Sequence, residues 1–207
     1  KQDSTCLLEL LQSAYNELDT DQRNNIFGEI LEEIPLSHIN GKELLKNIKK
    51  FQKDSLNERY YAPFDINSKN CSDIPEETDE WFDKMGDFLQ ESTQLTEQGE
   101  NAIAVKCFTI LYELIERLDD GEEIVFADEL GSWMIPGDKK KYIKAYLSAS
   151  SASTTPEEYA EIAIPLIRSD SYVSFADKVY SSAIRLANPE QKKHLRKEVK
   201  RENIRTK

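Results

Sequence analysis

EQGENAIAVKCFTILYEL (97–114) reads as the end of one helix and the start of another. Gly99 interrupts the pattern, and beyond it Ala104, Phe108, Leu111, Tyr112, Ile115 and Leu118 recur at steps of three and four residues. That spacing is the helical period of 3.6, whereas a half-buried strand would alternate at two. Cys107 falls on the apolar side of this helix, where a thiol acts as a small buried hydrophobe rather than a nucleophile. Before Gly99, residues 81–95 carry helical spacing as well, so the stretch predicts a helical hairpin.

The same grammar extends in both directions. Toward the N-terminus, Leu7, Leu8, Leu11, Ala14, Tyr15 and Leu18 form one apolar stripe. Ile26, Phe27, Ile30, Leu31 and Ile34 form a second, which stops at Pro35, and Leu44, Leu45, Ile48 and Phe51 form a third. Asn40 with Glu43 three places on resembles a capping box opening that third helix. Toward the C-terminus, Thr155-Pro156-Glu157-Glu158 and Asn188-Pro189-Glu190-Gln191 each place a cap, then a proline where a helix tolerates one, then an acidic residue. Pro165 sits inside an otherwise helical pattern and predicts an end or a kink there. The run SASSASTT (148–155) reads as a frayed helix end leading into a cap, the alternative being an interdomain linker. Residues 56–78, with two prolines and many Asn, Asp and Ser, break the rhythm.

These readings predict an all-α chain of about nine or ten helices stacked as antiparallel hairpins, α-solenoid-like or an irregular bundle. N-terminal hairpins span 1–55, an irregular connection spans 56–78, and a main helical domain spans 79–207, which can pack with the N-terminal part as one unit.

Gly99, Ala104, Phe108 and Leu111, with Phe88, Ser92 and Leu95 on the preceding helix, occupy positions that resemble half of a tetratricopeptide repeat. A second stretch, FADKVYSSAIRLANPE, is similar through Ala176, Tyr180, Ala183 and a proline one place late at Pro189. The resemblance covers residues around 88–118 and 171–190 only. It implies stacked helix pairs and a concave surface for a protein or peptide partner, and it carries over no specific contact residue.

Composition narrows the function classes. The chain of 207 residues bears a net charge of −12, unevenly spread. Residues 76–129 hold 17 acidic and 3 basic groups, and residues 130–207 hold 9 acidic and 15 basic. An acidic belt repels phosphate, and the basic tail lacks the interleaved aromatics of a base-stacking surface, so nucleic acid is not an expected partner. No apolar run has the ~20 residues of a membrane span. Three scattered cysteines, Cys6, Cys71 and Cys107, offer neither a disulfide scaffold nor a zinc module, which points to a reducing, cytoplasmic setting.

No chemistry-bearing motif stands out. The seven glycines form no phosphate loop. His38 and His194 lack the Glu-x-x-His context of a di-metal bundle. Asp119, Asp120, Glu122 and Glu123 crowd a turn without the spacing of a calcium loop. No catalytic residue, metal or cofactor is therefore expected. Lys42, Lys46, Lys49 and Lys53 form a basic stripe on one helix face, able to meet solvent, the acidic belt or an acidic partner.

What remains is an interaction surface. Exposed aromatics in the long connection, Tyr60, Tyr61 and Phe64, and Trp133 in the corner FADELGSWMIPGDKKKYI (126–143) are the expected anchors. Asp128, Glu129, Asp138, Lys139 and Lys140 surround that corner. Phe126, Ala127 and Leu130 are expected to end one helix, Pro136-Gly137 to turn, and Asp138 to cap the next. Lys139, Lys140 and Lys141 then fall in a first turn, where the helix dipole disfavours cations by ~0.3–1 kcal/mol each. The expected function is a scaffold, adaptor or regulatory module with an acidic face. The alternatives are an enzyme using carboxylates near Trp133 and an accessory module of a larger protein.

Overall fold

Helices account for almost all of the secondary structure among the described residues. The structure, a computed structural model, describes residues 38–62, 65–66, 72–73, 75–126, 131–169 and 176–204. Seven α-helices occur among these residues: α1 (Gly41–Leu56), α2 (Glu76–Glu97), α3 (Asn101–Asp119), α4 (Lys139–Ser153), α5 (Pro156–Ser169), α6 (Ala176–Leu186) and α7 (Pro189–Arg201). The all-α class is as expected. The number is seven against nine or ten, and the stripes expected within residues 7–18 and 26–34 lie outside the described residues. The connection between α1 and α2 contains one two-residue ladder, β1 (Asp65–Ile66) antiparallel to β2 (Ser72–Asp73).

The cap residues read from sequence act as caps. Asn40 accepts from the backbone N–H of Lys42 and Glu43. Thr155 and Glu158 bond each other's backbone N–H reciprocally, at 3.2 and 2.9 Å, and open α5 as the SASSASTT run ends α4 at Ser153. Asn188 and Gln191 do the same for α7. Gly99, at φ +83°, closes α2: its N–H reaches Thr96 O and that of Glu100 reaches Leu95 O, the paired bonds of a left-handed helix end.

Pro165 neither ends nor divides α5, which runs on to Ser169. Its missing N–H frees the carbonyl of Glu161, and both residues are exposed, which leaves that carbonyl open to solvent. Phe126 ends no helix either. The preceding helix stops at Asp119 because Gly121 takes up φ +82°, and the chain then crosses α2, where Phe126 O accepts from Thr78 Oγ1 at 3.1 Å. Ala127 and Leu130 lie outside the described residues.

The core is continuous within the compact unit Ile39–Lys207. Helix α1, read from sequence with the N-terminal hairpins, packs on α2 and α3. Phe51, Trp81 and Phe82 form its aromatic centre here, with ring centroids 5.0–5.7 Å apart. Phe108, Tyr112 and Tyr146 stack where α3 meets α4. The main packing partners of each helix stand one or two places away in chain order: α2 on α3 and α4, α4 on α5 and α6, α5 on α6 and α7.

Candidate functional site: the Trp133 corner

Between α3 and α4 the chain forms a 3-10 turn, Gly131–Met134, packed against α3. Asp119, at the end of α3, holds this turn: its carboxylate accepts from Ser132 N at 3.3 Å and Ser132 Oγ at 3.0 Å. Beyond it Ile135 is buried, and Pro136 rests closely on Gly86 of α2, where an added Cβ would come within 3.1 Å of the ring. Gly137 takes up φ +97°, and a Cβ there would fall on the Tyr142 hydroxyl. That hydroxyl donates to Pro136 O at 3.3 Å. The corner is thus braced against two helices.

On this frame Trp133 is 61% exposed, against 44% for Leu56, the other exposed large apolar side chain among the described residues. Lys139 reaches back over it, with Nζ 4.5 Å from the ring centroid, and donates to Ser132 O at 2.6 Å. Burial pulls the Lys139 ammonium below the usual lysine range, and the nearby Asp119 carboxylate opposes that shift. Asp138 caps α4, accepting from Lys140 N at 2.9 Å and Lys141 N at 3.3 Å. The three lysines at the unfavourable end of the helix therefore have two explanations. Asp138 supplies the negative charge that the helix start favours, and Lys139 spends its own charge on a carbonyl and an indole face. Lys140 and Lys141 are exposed.

The structure brings together Trp133, Asp138, Lys139 and Lys140 and places Tyr60 and Tyr61 elsewhere. Tyr60 is not an exposed anchor: it is 1% exposed. Its backbone bridges to Val125, its ring lies 5.6 Å from that of Phe51, and its hydroxyl accepts from Lys84 Nζ at 3.2 Å. The start of the long connection is tied into the core, which no local pattern of NERYY reveals. Tyr61 is half-buried with its ring 5.8 Å from Phe126. Phe64, Asp128 and Glu129 lie outside the described residues.

Ser132 and Asp119 are the parts of this corner that spacing did not single out. Asp119 was one of four crowded carboxylates, and only the folded turn shows it used as a bracket. Among the described residues no group of three or more His, Cys, Asp or Glu side chains is arranged to hold a metal ion. Cys107 is fully buried, and burial pushes its thiol up to about 11. The lysine stripe of α1, Lys42, Lys46, Lys49 and Lys53, is exposed along its length. Ion pairs among the described residues instead use Arg59, Lys84, Arg117, Arg168, His194 and Arg201. No helix of the described residues is long and apolar enough to cross a membrane. Comparison of the chain with protein-family models, with curated proteins and with solved structures gives no match in any of the three.

Proposed function

We propose that the chain is a protein-interaction module, built as an open stack of helical hairpins, that takes hold of a partner through the Trp133 corner. The observation that carries this reading is a large aromatic side chain left 61% exposed on a braced turn. A tryptophan is expensive to leave in water: covering it on docking removes on the order of 100 Å² of apolar surface, or roughly 3 kcal/mol, the size of a binding hot spot. The lysine over its inner face restricts the ring before a partner arrives, so less side-chain entropy is lost on docking. Exposed Lys140 and Lys141 beside it favour a partner segment with acidic groups around an apolar one.

The open stack is supported by the main packing partners among the described residues, which stand one or two helices apart in chain order beside one junction between the start of α7 and the end of α4, since a closed bundle would bring first and last helices together. The tetratricopeptide-like resemblance is part of this proposal, with Gly99, Ala104, Phe108 and Leu111 in the α2–α3 hairpin. The test is parallel affinity capture with the wild-type chain and Trp133→Ala, read by mass spectrometry, with far-UV circular dichroism on both. A partner held by the wild type and lost by a fully helical variant supports the reading. Equal capture by both overturns the assignment of Trp133 as anchor.

A further inference from the structure

Helices α6 and α7 are joined by two residues, Ala187 and Asn188, yet each packs mainly on elements other than its neighbour, α6 on α4 and α5 and α7 on α5. The gap between them is an open surface notch of about 330 Å³ lined by Tyr180, Arg196, Val199, Lys200, Asn203 and Ile204. That volume is at the lower end of the ~300–1,000 Å³ of small-ligand sites. Asn203 turns the chain at φ +53°, and Ile204 N donates to Val199 O at 3.1 Å, which folds Ile204 back beside Val199 as an apolar floor. Arg168 of α5 holds Glu202 at 2.5 Å and ties down the end of α7.

The charges at the rim are unbalanced. Arg196 and Lys200 stand one helical turn apart, both exposed, and neither takes part in an ion pair among the described residues. The carboxylates of the same helix end are committed elsewhere: Glu198 to Arg201 and Glu202 to Arg168 and Arg201. A phenol, two aliphatic side chains and two uncompensated cations thus face one small space.

We propose that this notch binds a small carboxylic acid with an aromatic or branched apolar body. The body lies on Tyr180, Val199 and Ile204, and the carboxylate meets the planar guanidinium of Arg196 and the ammonium of Lys200. A monoanion is favoured over a phosphate ester because the carboxylates of Glu198 and Glu202 on the same helix end repel the more highly charged head more strongly.

The probe is 3-phenylpropionate, titrated against the ¹⁵N-labelled chain and followed by amide chemical shifts, with 3-phenylpropionamide and phenyl phosphate as companions. The expected result is saturable shifts centred on residues 180, 196, 199, 200, 203 and 204, about tenfold weaker binding of the amide, and a similar loss in Arg196→Gln/Lys200→Gln. Both positions are exposed, so the variant keeps its fold, which its unshifted core amides verify. Equal response to acid and amide, shifts spread over the lysines of α1, or preference for phenyl phosphate each overturns the proposal.

Discussion

Trp81 donates its indole N–H to Ser55 Oγ at 2.9 Å, and Ser55 in turn donates to Phe51 O at 2.9 Å, with both Ser55 and Trp81 fully buried. The largest side chain of the core has its single polar atom satisfied by one hydroxyl from a different helix, 26 residues back in the chain. This bond links α1 to α2 at the centre of the aromatic cluster. Ser55→Ala leaves the indole N–H buried without an acceptor, and the expected cost is about 1–3 kcal/mol. Denaturant titration checks it: the midpoint falls while the slope stays unchanged. A loss below about 0.5 kcal/mol would mean that water or a shifted carbonyl replaces the hydroxyl.

Glu58 closes α1 in the left-handed region at φ 58°, with Glu58 N bonded to Ser55 O and Arg59 N to Asp54 O. Gly99 and Asn203 fill the equivalent place after α2 and α7, residue types that enter this region with less strain. Glu58 is exposed and its side chain forms no ion pair among the described residues, so Glu58→Gly removes strain without removing a contact. The expected gain is about 1 kcal/mol, net of the extra freedom glycine adds to the unfolded chain. A thermal melt reads it as a rise in Tm of a few degrees, and a fall would show that the glutamate has a stabilising role here.

How far the sequence reaches can be judged from these elements. Caps and period come from neighbours within four residues, and those signals identified Asn40, Asp138, Thr155 and Asn188 as helix starts. Tyr60 was misread because its burial depends on Phe51, Lys84 and Val125, none of them local, while its neighbours carry the composition of a loop. Pro165 was read as an end or a kink, and the helix does not end there, because the cost of a proline depends on whether the carbonyl four residues back can reach water. Trp133 was read as exposed and is exposed, but its bracket, Asp119 and Ser132, exists only once α3 and the 3-10 turn pack together.

Alkaline pH tests the stacked tyrosines. Burial pushes the Tyr146 phenol up to about 12, against an ordinary value of 10.0, and raises Tyr112 and Tyr159 in the same direction. A folded-state value above the unfolded one contributes stability that is fully present below pH 10 and is lost as pH rises toward 12. Lys139, shifted down, works the other way and gains stability toward pH 10.5, but it is a single half-buried group against four phenols, Tyr142 being raised by burial as well. The expected outcome is a steep fall in stability above pH 10. Tyr146→Phe lowers stability at pH 7 by about 1 kcal/mol, through loss of the 2.9 Å bond with Thr109, and makes the fall above pH 10 shallower. An equally steep fall in the variant would assign the alkaline transition to other groups.

Gln191 offers the sharpest single-atom test. Its side chain is buried where α7 begins: Oε1 accepts from Asn188 N at 2.9 Å, while Nε2 donates to Ser151 O at 3.2 Å and Thr154 O at 3.1 Å. Oε1 also receives the Ser151 hydroxyl at 3.2 Å, so one amide joins the end of α4 to the start of α7. Gln191→Glu keeps the shape and replaces the donor with an oxygen facing two carbonyls. As a carboxylate it is repelled by them. As a neutral acid it restores one of the two lost bonds, so its folded-state pKa is raised above the unfolded ~4.3. The stability of Gln191→Glu relative to wild type is therefore best below pH 4.3 and worsens as pH rises, with an expected deficit of about 1–3 kcal/mol at pH 7. Denaturant midpoints of both proteins at pH 4 and pH 7 decide it. A deficit independent of pH would mean that the new oxygen finds water, and that the α4–α7 junction is open to solvent.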